Sequence, residues 1–428
     1  MKDLKDVVEG GLCLGCGLCT INPDKRDTAV KIDYKNNCGH IVPVDFDLLS
    51  PNTKAGFEIC PGKGYDINSR AKDYELGPYF HLDLGHYDQL AVVSGVGSLY
   101  QKNASSSGIM IAIAQYLIER KLVDKAIVTK FTYGDRGVQT KTYASNNLVE
   151  LLDSQGSKYC PVDLSELIED LKTNRSNESY VFIGTPCQIA GLRKMQDSVC
   201  DLNIKYFIGN FCGGFKSFNN LRRLISMHGI KPQNVDFFRF RGGGQPGSME
   251  IRSEAKKVNV AYPEYVKTTG YSKLKRCHLC VDATAELADF ACGDAWLKEY
   301  EGKEPTSIVM TRNNHATEIL NNMEREKGIT VGNISEENVI KSQKGNISTK
   351  KYRQRGRMKL YNILGIKTPF LKEGFHINNK INLKLELNVL FGHKVKFIAE
   401  KLGVFKLFYY RKGILRKIMF RIFKDNYN

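Results

Sequence analysis

Ser179-Tyr-Val-Phe-Ile-Gly184 runs directly into Thr185-Pro-Cys-Gln-Ile-Ala-Gly-Leu192. A short apolar run rich in β-branched and aromatic residues reads as a buried strand. The Gly-Thr-Pro turn ends it, and a helix starts just beyond, with Cys187 at the junction. The same alternation extends outward on the N-terminal side. Ala91-Val-Val-Ser94 and Lys125-Ala-Ile-Val-Thr-Lys130 read as strands, and Gly108 to Glu119 and Leu164 to Thr173 as helices. Strands alternating with helices predict an α/β body with a largely parallel sheet. Past about residue 230 the pattern becomes mixed, with Gly-rich turns such as Arg241-Gly-Gly-Gly-Gln-Pro246. Residues 1–75 are short segments broken by Gly, Pro, Asn and Asp, as expected of a small cluster-binding domain.

That domain carries Cys13-x2-Cys16-x2-Cys19 in a glycine-rich stretch. Three thiolates from one tight turn can point inward together, and the spacing is that of the C-x2-C-x2-C run of bacterial ferredoxins. The fourth cysteine of such a run would stand at position 23, where Pro23 is found. The motif therefore predicts one ferredoxin-like [4Fe–4S] site closed by a distant ligand. Cys60, followed by Pro61, is the favoured fourth ligand, and Cys38, in a turn-like Asn-Asn-Cys-Gly, is its rival. A zinc knuckle or plain buried thiols are the plainer readings, but zinc sites usually pair two separate CxxC elements.

Twelve cysteines among 428 residues need an account, and 42% hydrophobic with 25% charged residues is ordinary for a globular protein. The first residues contain no apolar signal region, and no run of about eighteen apolar residues is present. A cytoplasmic protein is expected, where clustered cysteines serve metal or redox chemistry. The net charge of +17 is uneven: residues 351–428 hold 19 Lys and Arg against 4 acids. In that tail, Ile381, Leu383, Leu385, Leu387 and Val389 alternate with polar residues and predict a half-buried strand. Farther on, Ile414, Leu415, Ile418, Met419, Ile422 and Phe423 share one helical face, with Lys412, Arg416, Lys417, Arg421 and Lys424 largely elsewhere. A basic amphipathic helix suits peripheral contact with an anionic membrane, and equally a helix docked on protein. Nucleic acid is not expected as a partner, because no binding motif accompanies the charge.

A second cysteine constellation is spread along the body. Cys187 is followed by Cys212, in Asn210-Phe-Cys-Gly-Gly214, and by Cys277-x2-Cys280. Four cysteines from three segments can close a tetrahedral site. Zinc, a redox-active CxxC pair and buried thiols stay open on spacing alone. The set Gly-Thr-Pro-Cys187-Gln, Asn-Phe-Cys212-Gly-Gly and Cys277-His-Leu-Cys-Val-Asp-Ala-Thr-Ala-Glu-Leu-Ala-Asp289-Phe-Ala-Cys-Gly-Asp294 resembles the coenzyme F420-reducing hydrogenase/dehydrogenase beta-subunit family. Ala104-Ser-Ser-Ser-Gly108 before a helix and Gly156-Ser-Lys-Tyr159 agree with it.

The resemblance covers residues 80–310 and implies FAD beside a [4Fe–4S] cluster held by Cys187, Cys212, Cys277 and Cys280. The family pattern usually has Gly-Gly where Ser107-Gly108 stands, and Cys292 is an extra thiol read as a core residue. The turn Ser105, Ser106, Ser107 and Gly108 could offer N–H groups and hydroxyls to the flavin pyrophosphate. Lys158, beside Gly156 and Ser157, could place positive charge near the flavin, or be a solvated surface lysine. Gly184 and Thr185 complete the cofactor-binding set. No G-x-G-x-x-G fingerprint follows a strand, so a nicotinamide site is not expected.

The expected organisation is a ferredoxin-type domain over 1–75, an FAD and [4Fe–4S] body over 80–310 and a basic, partly helical extension over 311–428. The expected function is an iron–sulfur flavoprotein oxidoreductase with two [4Fe–4S] clusters and FAD. It would pass electrons between a ferredoxin-like carrier and an organic hydride donor or acceptor such as a deazaflavin, in a setting that could include polysaccharide biosynthesis. The rival is a non-catalytic, metal-stabilised adaptor acting through its basic tail.

Overall fold

The computed structural model describes residues 1–24, 26–35, 39–68, 73–173, 177–262, 264, 273–370, 382–387 and 389–390. At its centre lies an eight-stranded mixed sheet. In chain order its strands are β1 (Gln89–Ser94), β2 (Lys125–Thr132), β3 (Gln139–Ser145), β4 (Tyr180–Gly184), β5 (Ile204–Asn210), β6 (Phe290–Asp294), β7 (Ser307–Thr311) and β8 (Thr330–Asn333). Across the sheet they run β8-β1-β7-β6-β5-β4-β2-β3.

Only the middle is parallel: β2 with β4, β4 with β5, and β5 with β6. The expectation of a largely parallel sheet is corrected by the flanks. There β2 and β3 form a hairpin, and β6 with β7, β7 with β1, and β1 with β8 pair antiparallel. Parallel neighbours need a long crossover, and the short connection between β2 and β3 leaves no room for one.

The alternation within each central strand feeds two cores. Val181, Ile208, Phe290 and Val309 face one side, where they meet helices α1 (Ile109–Glu119) and α3 (Asn314–Lys327). Phe182, Phe207, Ala291 and Ile308 face the other, where α2 (Pro186–Ser198) and the helix Ser165–Thr173 pack. Strands buried on both faces read as continuous apolar runs, which is why 179–184 was legible. Cys292 lies in the first of these cores, 3% exposed, as its core reading required. Helix α3 and strand β8 both lie beyond residue 310 and belong to this layer structure.

Two smaller units flank the sheet. A three-stranded antiparallel sheet (Phe237–Arg239, Ser248–Ser253, Lys256–Ala261) packs on the helix Phe218–Met227 through Phe218, Leu224, Phe238 and Ile251. The N-terminal segment folds as the helices Leu4–Glu9 and Pro51–Glu58 around the hairpin Lys31–Lys35/His40–Asp45.

The expected strand over 381–389 is overturned: residues 383–387 are helical. Asn382 starts the turn, its side chain accepting the Leu385 N–H at 3.0 Å and its carbonyl the Glu386 N–H. Glu386 is no solvent-facing residue but is 2% exposed, accepting from Arg353 at 2.8 Å and Arg357 at 2.6 Å. The basic amphipathic pattern over 412–424 lies outside the described residues, as does Cys38. Among the described residues no helix is long and apolar enough to cross a membrane.

Candidate metal centres

Cys13, Cys16, Cys19 and Cys60 line one small cavity with Leu4, Val7, Leu14 and Ile41. Two glycines shape the loop that presents the first three. Gly15 and Gly17 take φ of +66° and +72°, which L-residues rarely adopt. A Cβ on Gly17 would lie 2.1 Å from the Asp163 carboxylate. The loop is pinned from outside: the Leu164 N–H donates to the Cys16 carbonyl at 3.0 Å, and His40 Nε2 lies 2.9 Å from the Cys13 carbonyl. Cys60 arrives from the end of the helix Pro51–Glu58, so the favoured fourth ligand stands at the cavity.

Burial pushes the Cys16 and Cys19 thiols well above the ordinary range, and the neighbouring Cys60 adds to this in both. Burial also raises Cys60. Thiols buried this close together cannot become thiolates at once without a positive centre among them. The donor set is therefore chemically suited to a metal cluster.

The second set forms at the carboxyl ends of the central strands. Cys187 sits in the first turn of α2, where Thr185 and Gln188 make a capping box. Cys212 follows β5, its N–H held by the Ala283 carbonyl at 2.9 Å. Cys277 and Cys280 bracket the end of the short helix Lys275–His278. Burial raises Cys187 and Cys277 to about 12, and in both the next cause is Cys212, with Cys280 contributing too. The four resemblance-implied ligands are thus brought together. Their sulfurs already receive donors: Gly214 N–H to Cys212 at 3.3 Å, Lys350 Nζ to Cys280 at 3.5 Å, with the Thr185 hydroxyl 3.3 Å from Cys187. Gly214, at φ +104°, leaves space where a Cβ would lie 3.0 Å from that of Cys277. In neither set do three thiols meet as around a single ion, among the described residues.

The two sets adjoin. Cys187 is one of the groups acting on Cys16, and Leu14 packs with Cys277, Cys187 and Phe215. Gly191 of α2 lets Leu18 approach so closely that a Cβ would lie 2.3 Å from its methyl. Arg276, 1% exposed, ties the 61–62 loop to its own segment: its Nε donates to the carbonyls of Pro61 (3.1 Å) and Gly62 (3.2 Å), and its Nη1 to Leu279 (3.2 Å), three residues on.

The candidate flavin residues fall in two places. The turn Ser105–Gly108 and the turn Gly156-Ser157-Lys158 meet around Arg241, which donates to the Ser105 carbonyl at 2.7 Å and whose own carbonyl would lie 3.1 Å from a Cβ on Gly156. Ser106 and Ser107 direct their hydroxyls inward, to Thr306 O at 2.9 Å and Ser307 Oγ at 2.8 Å. Ser107 is fully buried, and Gly108 opens α1 at φ +85°.

Lys158 is no solvated surface lysine. Its ammonium donates to the carbonyls of Ser154, Gln155 and Gly156, and burial lowers its pKa to about 7. Gly184 and Thr185 stand at the Cys187 corner, where Thr185 is engaged in the cap. Arg241 also pairs with Asp294 at 2.7 Å and lies against the stacked rings of Tyr262 and Trp296. These aromatics and the serine turn form one wall of the body.

Two family descriptions match along this body: "Coenzyme F420 hydrogenase/dehydrogenase, beta subunit N-term" over residues 96–169 and the corresponding C terminus over 177–337. Together they cover more than half of the chain. The chain belongs to this beta-subunit family. A coenzyme F420-dependent sulfite reductase of Methanocaldococcus jannaschii is 25% identical over 77% of this chain and 49% of its own length. The chain thus spans about half of that relative. A coenzyme F420 hydrogenase subunit beta of Methanococcus voltae is 25% identical over 50% of this chain and 77% of its own. A chain of the F420-reducing [NiFe] hydrogenase complex from Methanosarcina barkeri superposes with a TM-score of 0.54 at 20% identity. That alignment covers 69% of this chain and 99% of the other, a likeness of fold.

Residues 1–95 precede the family match and residues 338–428 follow it. The first of these stretches supplies the Cys13–Cys60 set, and the second supplies Lys350. Arg276, Lys350 and Arg241 escaped the sequence reading. Arg276 alone had a local signal, standing immediately before Cys277.

Proposed function

We propose that this beta-subunit relative is an iron–sulfur flavoprotein oxidoreductase with two [4Fe–4S] clusters and one FAD. Cys13, Cys16, Cys19 and Cys60 would hold one cluster, and Cys187, Cys212, Cys277 and Cys280 the other. The clusters would carry single electrons, and the flavin would exchange them in pairs. The observation that carries the reading is the adjacency of two four-cysteine sets across the start of α2. Neighbouring one-electron sites suit a relay, and an isolated structural site would need no neighbour.

The chain's own residues do three things in this account. The apolar side chains Leu14, Leu18 and Phe215 exclude water between the sets. Arg276 locks the Cys60 loop to the Cys277 loop. The wall built on Arg241, with the turns at Ser105–Gly108 and Gly156–Lys158, would receive the flavin. The partners would be a ferredoxin-like carrier on the one-electron side and an organic hydride donor or acceptor on the other. The names of the F420-dependent sulfite reductase and hydrogenase relatives support a deazaflavin in that second role. A link to polysaccharide biosynthesis, a cytoplasmic location and peripheral membrane contact through residues 405–424 belong to the same proposal. Deleting the residues after 400 should weaken binding to anionic vesicles and leave iron and flavin intact.

The test is electron transfer by the anaerobically purified protein. Reduced deazaflavin or a reduced ferredoxin should bleach the bound flavin and the cluster absorbance. Spectra unchanged by both donors would refute the relay.

A further inference from the structure

Lys350 lies in the π-helical turn Ser348–Tyr352, beyond the family-matched region that ends at residue 337. Single π-turns are rare and recur at functional sites. The side chain is 3% exposed, and its ammonium donates to the Asp282 carbonyl at 2.6 Å and to Cys280 Sγ at 3.5 Å. Cys212 and Cys277 also face it. From the N-terminal domain, the Tyr65 hydroxyl is buried toward Cys280 and Cys187 with no hydrogen-bond partner among the described residues. Arg276 adds a second buried cation facing Cys280, Cys187 and Cys277.

The first set is served differently. Gly15 donates its backbone N–H to Cys13 at 3.4 Å, and backbone groups of Gly62 and Lys63 serve Cys60, with the Lys63 and Arg276 charges as lesser influences and no lysine hydrogen bond to a sulfur of this set among the described contacts. The Lys63 ammonium is already paired with Glu58 at 3.2 Å.

A site that takes up one electron gains one negative charge. A fixed cation hydrogen-bonded to a ligand sulfur stabilises that more negative state, and burial magnifies the effect. We propose that Lys350 makes the Cys187–Cys280 site the higher-potential of the two, so that an electron entering at the Cys13–Cys60 site passes on to the second and is held there. The inference rests on the two-cluster reading. It assigns to the C-terminal extension a tuning residue that touches a ligand sulfur and takes no part in bond making.

The test is an anaerobic redox titration followed by electron paramagnetic resonance, with iron and sulfide counted on the same samples. Wild type should show two separable one-electron steps. Lys350→Met should keep its iron and lower only the upper step, by about tenfold or more in its equilibrium, or about 59 mV for a one-electron couple. Lys350→Gln, which keeps an N–H donor without the charge, should give a smaller shift of the same step and serves as the deciding variant if the methionine form loses iron. In Cys16→Ser, the step that survives should be the upper one. Full iron with both steps unmoved by the Lys350 substitutions, or survival of the lower step in Cys16→Ser, overturns this inference alone. About four iron atoms per wild-type chain would instead overturn the two-cluster reading and this inference with it.

Discussion

Replacing Arg276 by methionine should loosen the N-terminal domain from the body. The guanidinium makes two N–H contacts that matter: Nε–H is shared between Pro61 O and Gly62 O, and Nη1–H reaches Leu279 O. A hydrogen bond from a charged donor contributes about 1.5–3 kcal/mol, and only the Nε–H bond crosses to the 61–62 loop, since Leu279 lies on the same segment as Arg276, so the bridge is worth about 1.5–3 kcal/mol gross. Methionine fills most of the aliphatic volume and removes the cost of burying a charge, which offsets part of the loss. A net loosening of about 1.4 kcal/mol is expected, or about tenfold in the population of the opened interface. The assay is anaerobic iron release to a chelator. In wild type both clusters should release slowly. In Arg276→Met the phase belonging to the Cys13–Cys60 set, about four iron atoms, should accelerate about tenfold ahead of the rest. Release kinetics identical to wild type would refute the bridging role.

Other perturbations follow from the same geometry. Cys277→Ser should remove about four iron atoms, whereas Cys292→Ser should leave iron unchanged and destabilise by about 1–3 kcal/mol, because it buries a hydroxyl in an apolar core. Iron lost from Cys292→Ser would make that residue a ligand. Glu386→Ala strips the partner from buried Arg357 and should cost about 3–5 kcal/mol in urea unfolding; an unchanged midpoint would rule out the docked turn at 383–387. Glu250 is held below the usual carboxylate range: burial works to raise it, but hydrogen bonds from Arg252 and Lys257 and the charge of Arg239 prevail. Its folded pKa lies below the unfolded one, so its contribution is present above the ordinary glutamate range and is lost as pH falls through the lowered value. Glu250→Gln should remove that part of the acid sensitivity of the urea midpoint, and parallel pH profiles for both proteins would contradict it.

Much of the fold was legible because local pattern and burial agreed. The run 179–184 is apolar because β4 is covered on both faces, and the helix over 109–119 is apolar nearly all round because it packs under the sheet. The Cys13–Cys60 set was legible through its spacing and its glycines, whereas the spacing of the second set left other readings open and only the family resemblance joined its four cysteines. The rest depended on distant partners. The alternation over 381–389 has the period of a strand, but the Glu386 pairing with Arg353 and Arg357, about thirty residues upstream, decides the local structure. Lys158 reads as a surface lysine until three carbonyls of its own turn enclose it. Lys350 is one lysine in a basic stretch, and only the approach of its turn to Cys280 distinguishes it. The antiparallel flanks of the sheet follow from connection geometry, which apolar periodicity does not encode.

A pair of cluster sites beside a flavin fixes the cofactor stoichiometry of the chain. Anaerobic purification with iron, sulfide and flavin counted per chain tests it most directly. Two clusters and one flavin require about eight iron atoms, as much sulfide and one FAD. Zinc in place of iron, with no flavin, would contradict it and leave a metal-stabilised adaptor.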